Sequence, residues 1–103
     1  MNGKLAAGNL TTANVATSVY RCRTTGAAFI SVSICNRSAE TAEITLGVSD
    51  SANSSDVASI IEYKTELLPK NVLERTGVVV SSTQYLTVTS SVANVSVVAT
   101  GVE

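Results

Sequence analysis

Between Ala28 and Asn36, Ile30, Val32 and Ile34 alternate with Phe29, Ser31, Ser33 and Cys35. A period of two sends successive side chains to opposite faces, so this segment reads as a strand with one apolar and one wetter face. The same period returns along the chain. Ile44, Leu46 and Val48 alternate with Glu43, Thr45 and Gly47, Leu86 and Val88 oppose Tyr85, Thr87 and Thr89, and Val95, Val97 and Ala99 stand against Ser96, Val98 and Thr100. Thr17 to Cys22, Ser59 to Leu68 and Val72 to Val80 are further strand segments. In the second of these, Ile61, Tyr63 and Thr65 are expected on one face and Ile60, Glu62, Lys64 and Glu66 on the other. In the third, Gly77 marks a bulge or a close backbone approach. Polar turn signals separate the segments at Arg23 to Gly26, Asn36 to Ser38, Ser49 to Ser55, Pro69 to Asn71 and Ser81 to Thr83.

Seven or eight strands of about six to nine residues, with turns at roughly ten-residue spacing and no helical period, predict an all-β antiparallel β-sandwich. Both an immunoglobulin-like and a jelly-roll connection produce this string. The Cys…Trp…Cys hallmark of true immunoglobulin domains is absent, since the chain has no tryptophan. Residues 1–16, in which Gly3, Gly8, Asn9 and Asn14 interrupt Lys4, Leu5 and Leu10, read as an extended N-terminal arm that orders on binding. Residues 17–103 form the sandwich domain.

Composition narrows function by exclusion. Val, Ser and Thr make up 42 of the 103 residues, and Tyr20, Phe29, Tyr63 and Tyr85 are the only aromatics. The core must therefore be small and aliphatic. Seven basic residues against eight acidic ones leave no basic footprint for a nucleic-acid or anionic-membrane partner. The absence of histidine removes the commonest general base and metal ligand together, so neither an enzyme nor a cofactor is expected. No apolar run of signal-peptide length follows Met1-Asn2-Gly3-Lys4, and no 18-residue apolar stretch occurs, which points to synthesis in the cytoplasm.

The chemistry-bearing residues favour structure over catalysis. A hairpin turning over Arg23 to Ala27 would leave Cys22 and Cys35 about 20 Å apart, so two free thiols are expected rather than a disulfide. Two thiols without histidine also lack the second ligand pair of a zinc site. Glu62 and Glu66, with Lys64 between them, suit a solvated, charge-alternating face rather than the paired carboxylates of a glycosidase. Asp50, Asn53, Ser55 and Asp56 offer oxygens, but without the spacing of a calcium loop. Glu74 and Arg75 are adjacent and must point to opposite faces of a strand, so one of them makes an ion pair at the sandwich edge or meets a neighbouring subunit. The Asn-x-Ser/Thr sequons at Asn9, Asn36, Asn53 and Asn94 are what chance supplies in so Ser/Thr-rich a chain.

A family likeness rests on Ile60-Ile61-Glu62-Tyr63, Leu67-Leu68-Pro69, Asn71-Val72-Leu73-Glu74-Arg75-Thr76-Gly77, and the ending Ser90-Ser91-Val92-Ala93-Asn94-Val95-Ser96-Val97 with Gly101-Val102-Glu103. Lys4-Leu5-Ala6-Ala7-Gly8-Asn9-Leu10 and Ile34-Cys35-Asn36-Arg37 fit the same pattern. So read, the chain resembles small virion proteins of tailed bacteriophages of the cyanophage and marine type. The resemblance implies a non-enzymatic structural role in many copies, first as a capsid decoration (cement) protein on the outer surface of the major capsid lattice. Lys4, Leu5 and Leu10 of the arm, Glu74, Arg75, Tyr63 and Tyr85 are the candidate interface residues. The partner would be the major capsid protein or another virion protein, with self-association in the virion. Attachment to tail, neck or fibre is one alternative. A carbohydrate-binding adhesion module that stacks sugars on Tyr63 or Tyr85 is another.

Overall fold

The computed structural model describes residues 2–23, 25–49 and 60–102. Eight strands run through them: β1 (Asn2–Leu10), β2 (Thr17–Arg21), β3 (Ala27–Asn36), β4 (Ala42–Ser49), β5 (Ile60–Leu67), β6 (Val72–Ser81), β7 (Tyr85–Ser90) and β8 (Val95–Val102). No helix occurs among the described residues, and none is long and apolar enough to cross a membrane. The strands form two four-stranded antiparallel sheets, sheet I in the order β1-β8-β3-β6 and sheet II in the order β2-β7-β4-β5. First pairs with last, second with seventh, third with sixth and fourth with fifth. This nesting is a jelly roll, and it decides between the two connections that the alternation left open.

The alternating residues account for the core. Ile30, Val32, Ile34, Val78, Val80, Val95, Val97 and Ala99 of sheet I are buried against Tyr20, Ile44, Leu46, Leu86 and Val88 of sheet II. Burying each larger aliphatic side chain contributes about 1.5 to 3 kcal/mol, which is how a core with one buried aromatic can hold two sheets together. Gly77 lies at φ +70° where Ile30 pairs with Val78 but Val32 pairs with Arg75, so the expected bulge is present and doubles β6 opposite Ser31.

Three expectations need correction. The extended arm over residues 1–16 is not what the structure has: Asn2–Leu10 pairs along its length with β8. Leu10 is buried and Leu5 packs against the core at a register shift between Lys4 and Ala6. The valine-rich β8 needed an antiparallel neighbour, and the nine residues of β1 supply it. The hairpin between Cys22 and Ala28 is also absent, because β2 lies in sheet II and β3 in sheet I. Neither cysteine is in a disulfide, Cys22 being buried and Cys35 half-buried. Finally, the two faces expected of β5 are reset by a bulge. Thr65 stands opposite Ile44 but Glu62 stands opposite Leu46, with Lys64 at φ +49° between them. Glu62 thus turns toward the interior edge while Glu66, opposite the exposed Glu43, stays outside. The stretch with Asp50, Asn53, Ser55 and Asp56 lies outside the described residues.

Candidate interaction surface

The outer face of sheet I follows from strand register. Residues paired across antiparallel strands share a face, so each set of partners forms a row across β1, β8, β3 and β6. The first row holds Val102, Phe29 and Val79. They are 53%, 62% and 45% exposed, an apolar stripe three strands wide that points into solvent. The second row is Lys4, Thr100, Ser31 and the Thr76–Gly77 bulge, and the third is Ala7, Val98, Ser33 and Glu74. The fourth is Asn9, Ser96, Cys35 and Val72. Among the described strand residues of this face, Lys4 and Glu74 alone carry charge, and they stand on opposite edges.

A shallow depression between the second and third rows is lined by Ser31, Ser33, Glu74, Thr76 and Thr100, with Val32 beneath. The β6 bulge makes it by lifting Thr76 and Gly77 out of the regular ladder. At the other end Arg37 clamps the face shut: its Nε donates to Ser96 Oγ at 2.6 Å and its Nη2 to Asn9 Oδ1. One guanidinium thus ties β1 and β8 to the end of β3.

The sequence-derived candidates are scattered. Lys4 and Glu74 lie on this face, whereas Leu5 and Leu10 turn inward, which removes them as contacts of an arm. Arg75 points the other way from Glu74 and closes the open side of the sandwich, its Nη1 2.6 Å from Glu62 Oε2. Glu62 also accepts from Thr65 Oγ1 at 2.8 Å. The pair links the edge strands of the two sheets. With Arg75 46% exposed it contributes about 0 to 1 kcal/mol.

Tyr63 and Tyr85 do not form one platform. Tyr85 is paired with Arg21 and Ser49, on the far side of β4 from β5, while Tyr63 sits in the β5 bulge. Each ring already has a cation over it, the Arg21 guanidinium at 5.3 Å from Tyr85 and the Lys64 ammonium at 5.5 Å from Tyr63.

One residue that sequence reasoning treated only as a turn and a sequon organises the opposite end. Asn36 is fully buried, and its Nδ2 donates to Glu40 O at 2.8 Å and Leu67 O at 2.9 Å. Its Oδ1 accepts from Ser38 N–H at 3.0 Å and lies 2.7 Å from Ser38 Oγ. Its backbone meets Asn71 O and Lys70 N–H. A buried amide with every valence occupied is an anchor for three chain segments, and a glycan could not be attached there.

Among the described residues no group of three or more Cys, Asp or Glu side chains is placed to hold a metal ion. No family model matches the chain, and no curated protein or solved structure matches it significantly.

Proposed function

We propose that this chain is a non-enzymatic virion structural protein of tailed-phage type, a capsid decoration protein that binds the outer surface of the major capsid lattice in many copies. The observation that carries this reading is a jelly roll whose outer sheet I face has few charged residues and is edged by the exposed stripe Val102, Phe29 and Val79. Jelly rolls recur in viral capsid domains, a likeness of fold that supports the reading. Methyl groups gain by dehydrating against a neighbouring protein surface, and hydroxyls dehydrate at little cost where that surface offers hydrogen-bond partners. Many weak contacts of this kind, repeated over a lattice, give tight retention through avidity. The resemblance read from Asn71 to Gly77 and from Ser90 to Val97 implies the same role. Tail, neck or fibre attachment is the alternative, and copy number separates the two.

The test is co-sedimentation of the purified protein with phage heads stripped of accessory proteins and, separately, with isolated tails. Saturable binding to heads at on the order of hundreds of copies is expected. Binding to tails at about a dozen copies or fewer would assign the alternative, and binding to neither would remove the virion reading.

A further inference from the structure

We propose that the outer face of sheet I is a homodimer interface, in which two copies stack face to face about a two-fold axis running along the strands between β8 and β3. The proposal does not depend on a virion role, and the dimer occupies the face that lattice binding would use, so the two compete for it.

Three features of the face select this partner and this axis. First, such an axis keeps each row at its own height and exchanges β8 with β3. Phe29 of one copy then lies over Val102 of the other, and the apolar stripe covers itself twice. Second, the axis places β1 of one copy over β6 of the other. Lys4 comes down on the Thr76–Gly77 bulge, over the depression that Glu74 lines. The lysine and the carboxylate are one row apart, about 7 Å at the rise of a strand, a separation that a lysine side chain spans. The lysine and the carboxylate that the strands place on the face are thereby matched, twice per dimer, while the Arg37 guanidinium at its end is already held by Ser96 and Asn9.

The third feature is what the alternative two-fold does. An in-plane axis across the strands would set β1 on β1 and β6 on β6. It would bring Glu74 within a row of its own copy, Lys4 likewise, and would lay the apolar stripe over the polar row of Asn9, Ser96 and Cys35. Like charges and mismatched polarity reject it.

Size sets the expected strength. Four strands at about 4.8 Å spacing and some eight residues of length cover roughly 500 Å² per copy, about 1,000 Å² in all, at the lower bound of specific interfaces. The small side chains of the middle rows allow the roughly 10 Å separation at which sheets pack. The dimer is therefore concentration-dependent, with a dissociation constant on the order of micromolar.

Sedimentation equilibrium of the purified full chain under reducing conditions, from about 1 µM to about 500 µM, reads the association directly. A monomer–dimer equilibrium is expected. Far-UV circular dichroism of each variant keeps folding separate from association. Phe29→Asp, a substitution at an exposed position, should weaken dimerisation about 100-fold while leaving the spectrum unchanged. Lys4→Glu and Glu74→Lys should each weaken it about tenfold, and the two together should restore it. A wild-type chain that stays monomeric throughout the range overturns the proposal. So does a dimer that folded Phe29→Asp leaves intact, or a double reversal no better than its single parents.

Discussion

Replacing Asn36 with alanine leaves the buried Leu67 carbonyl and the part-buried Ser38 amide without the side chain they now share, and removes one of the two donors to the Glu40 carbonyl. Each such orphaned group costs about 1 to 3 kcal/mol, so Asn36→Ala should lower the unfolding free energy by about 3 kcal/mol, measured by urea denaturation. A loss below about 1 kcal/mol would show that water replaces the amide freely. Gly101 is constrained differently. It lies at φ +149°, and a Cβ there would meet Phe29 O at 2.1 Å and Ile30 Cα at 2.9 Å. Both atoms belong to the β3 backbone and cannot rotate away. Gly101→Ala should therefore separate β8 from β3 locally and cost about 3 kcal/mol or more, with faster amide exchange in Phe29 and Ile30 as its signature.

Single elements carry different consequences. Glu43 and Glu66 stand directly opposite on the outer side of the β4–β5 pair, and like charges in that relation repel. Glu66→Lys turns the repulsion into a cross-strand attraction and should stabilise the fold by about 0.5 kcal/mol in low salt, an effect that disappears near 1 M salt. β1 is the element whose nature changed most between sequence and structure. Deleting residues 1–10 removes a hydrogen-bonded strand, uncovers the β8 edge and takes Leu10 out of the core. The truncated chain should lose its cooperative thermal transition or aggregate, where loss of a free arm would leave melting unchanged.

β3 and β8 were legible because their burial alternates as their residues do, and β4 and β7 because their apolar residues alternate in sequence even though Gly47 and Thr87 are buried as well. The bulge at Gly77 was legible because only glycine settles easily at that angle. β1 was hidden because Gly3, Gly8 and Asn9 dilute its apolar residues, and its pairing is supplied by β8 rather than by any propensity of its own. The Glu62–Arg75 pair was half visible: an edge ion pair by Glu74 or Arg75 was one of two expectations, but the partner depends on a bulge at Lys64, where nothing in the residue type announces a positive φ. The stripe of Val102, Phe29 and Val79 could not be seen at all, since it joins strands far apart in sequence. Knowledge of sheet order is needed before those three residues become neighbours.

For the molecule as a whole, nested pairing makes nearly every contact a long-range one. Closing the first strand onto the last must await much of the sheet order between them, which places the chain among slowly folding topologies. The same nesting separates the surfaces by role. The Asn36 anchor and the Arg37 clamp stabilise one end of the sandwich, the Glu62–Arg75 pair closes one side, and the outer face of sheet I is left with few charges and an apolar stripe. That face can be covered by only one neighbour at a time, so lattice binding and face-to-face pairing are competing uses of it.

The partnership of Asn2 with Val102 also has a mechanical meaning. Tension applied between those two positions acts across the β1–β8 ladder at one of its ends, so its hydrogen bonds are loaded one after another, as in a zipper. Tension between Asn2 and Val95, at opposite ends of the same ladder, loads them together in shear. In an optical trap with handles at these positions, the first arrangement should give way at clearly lower force than the second. A module held in a stressed assembly would therefore resist or yield according to where it is gripped, with no change in its sequence.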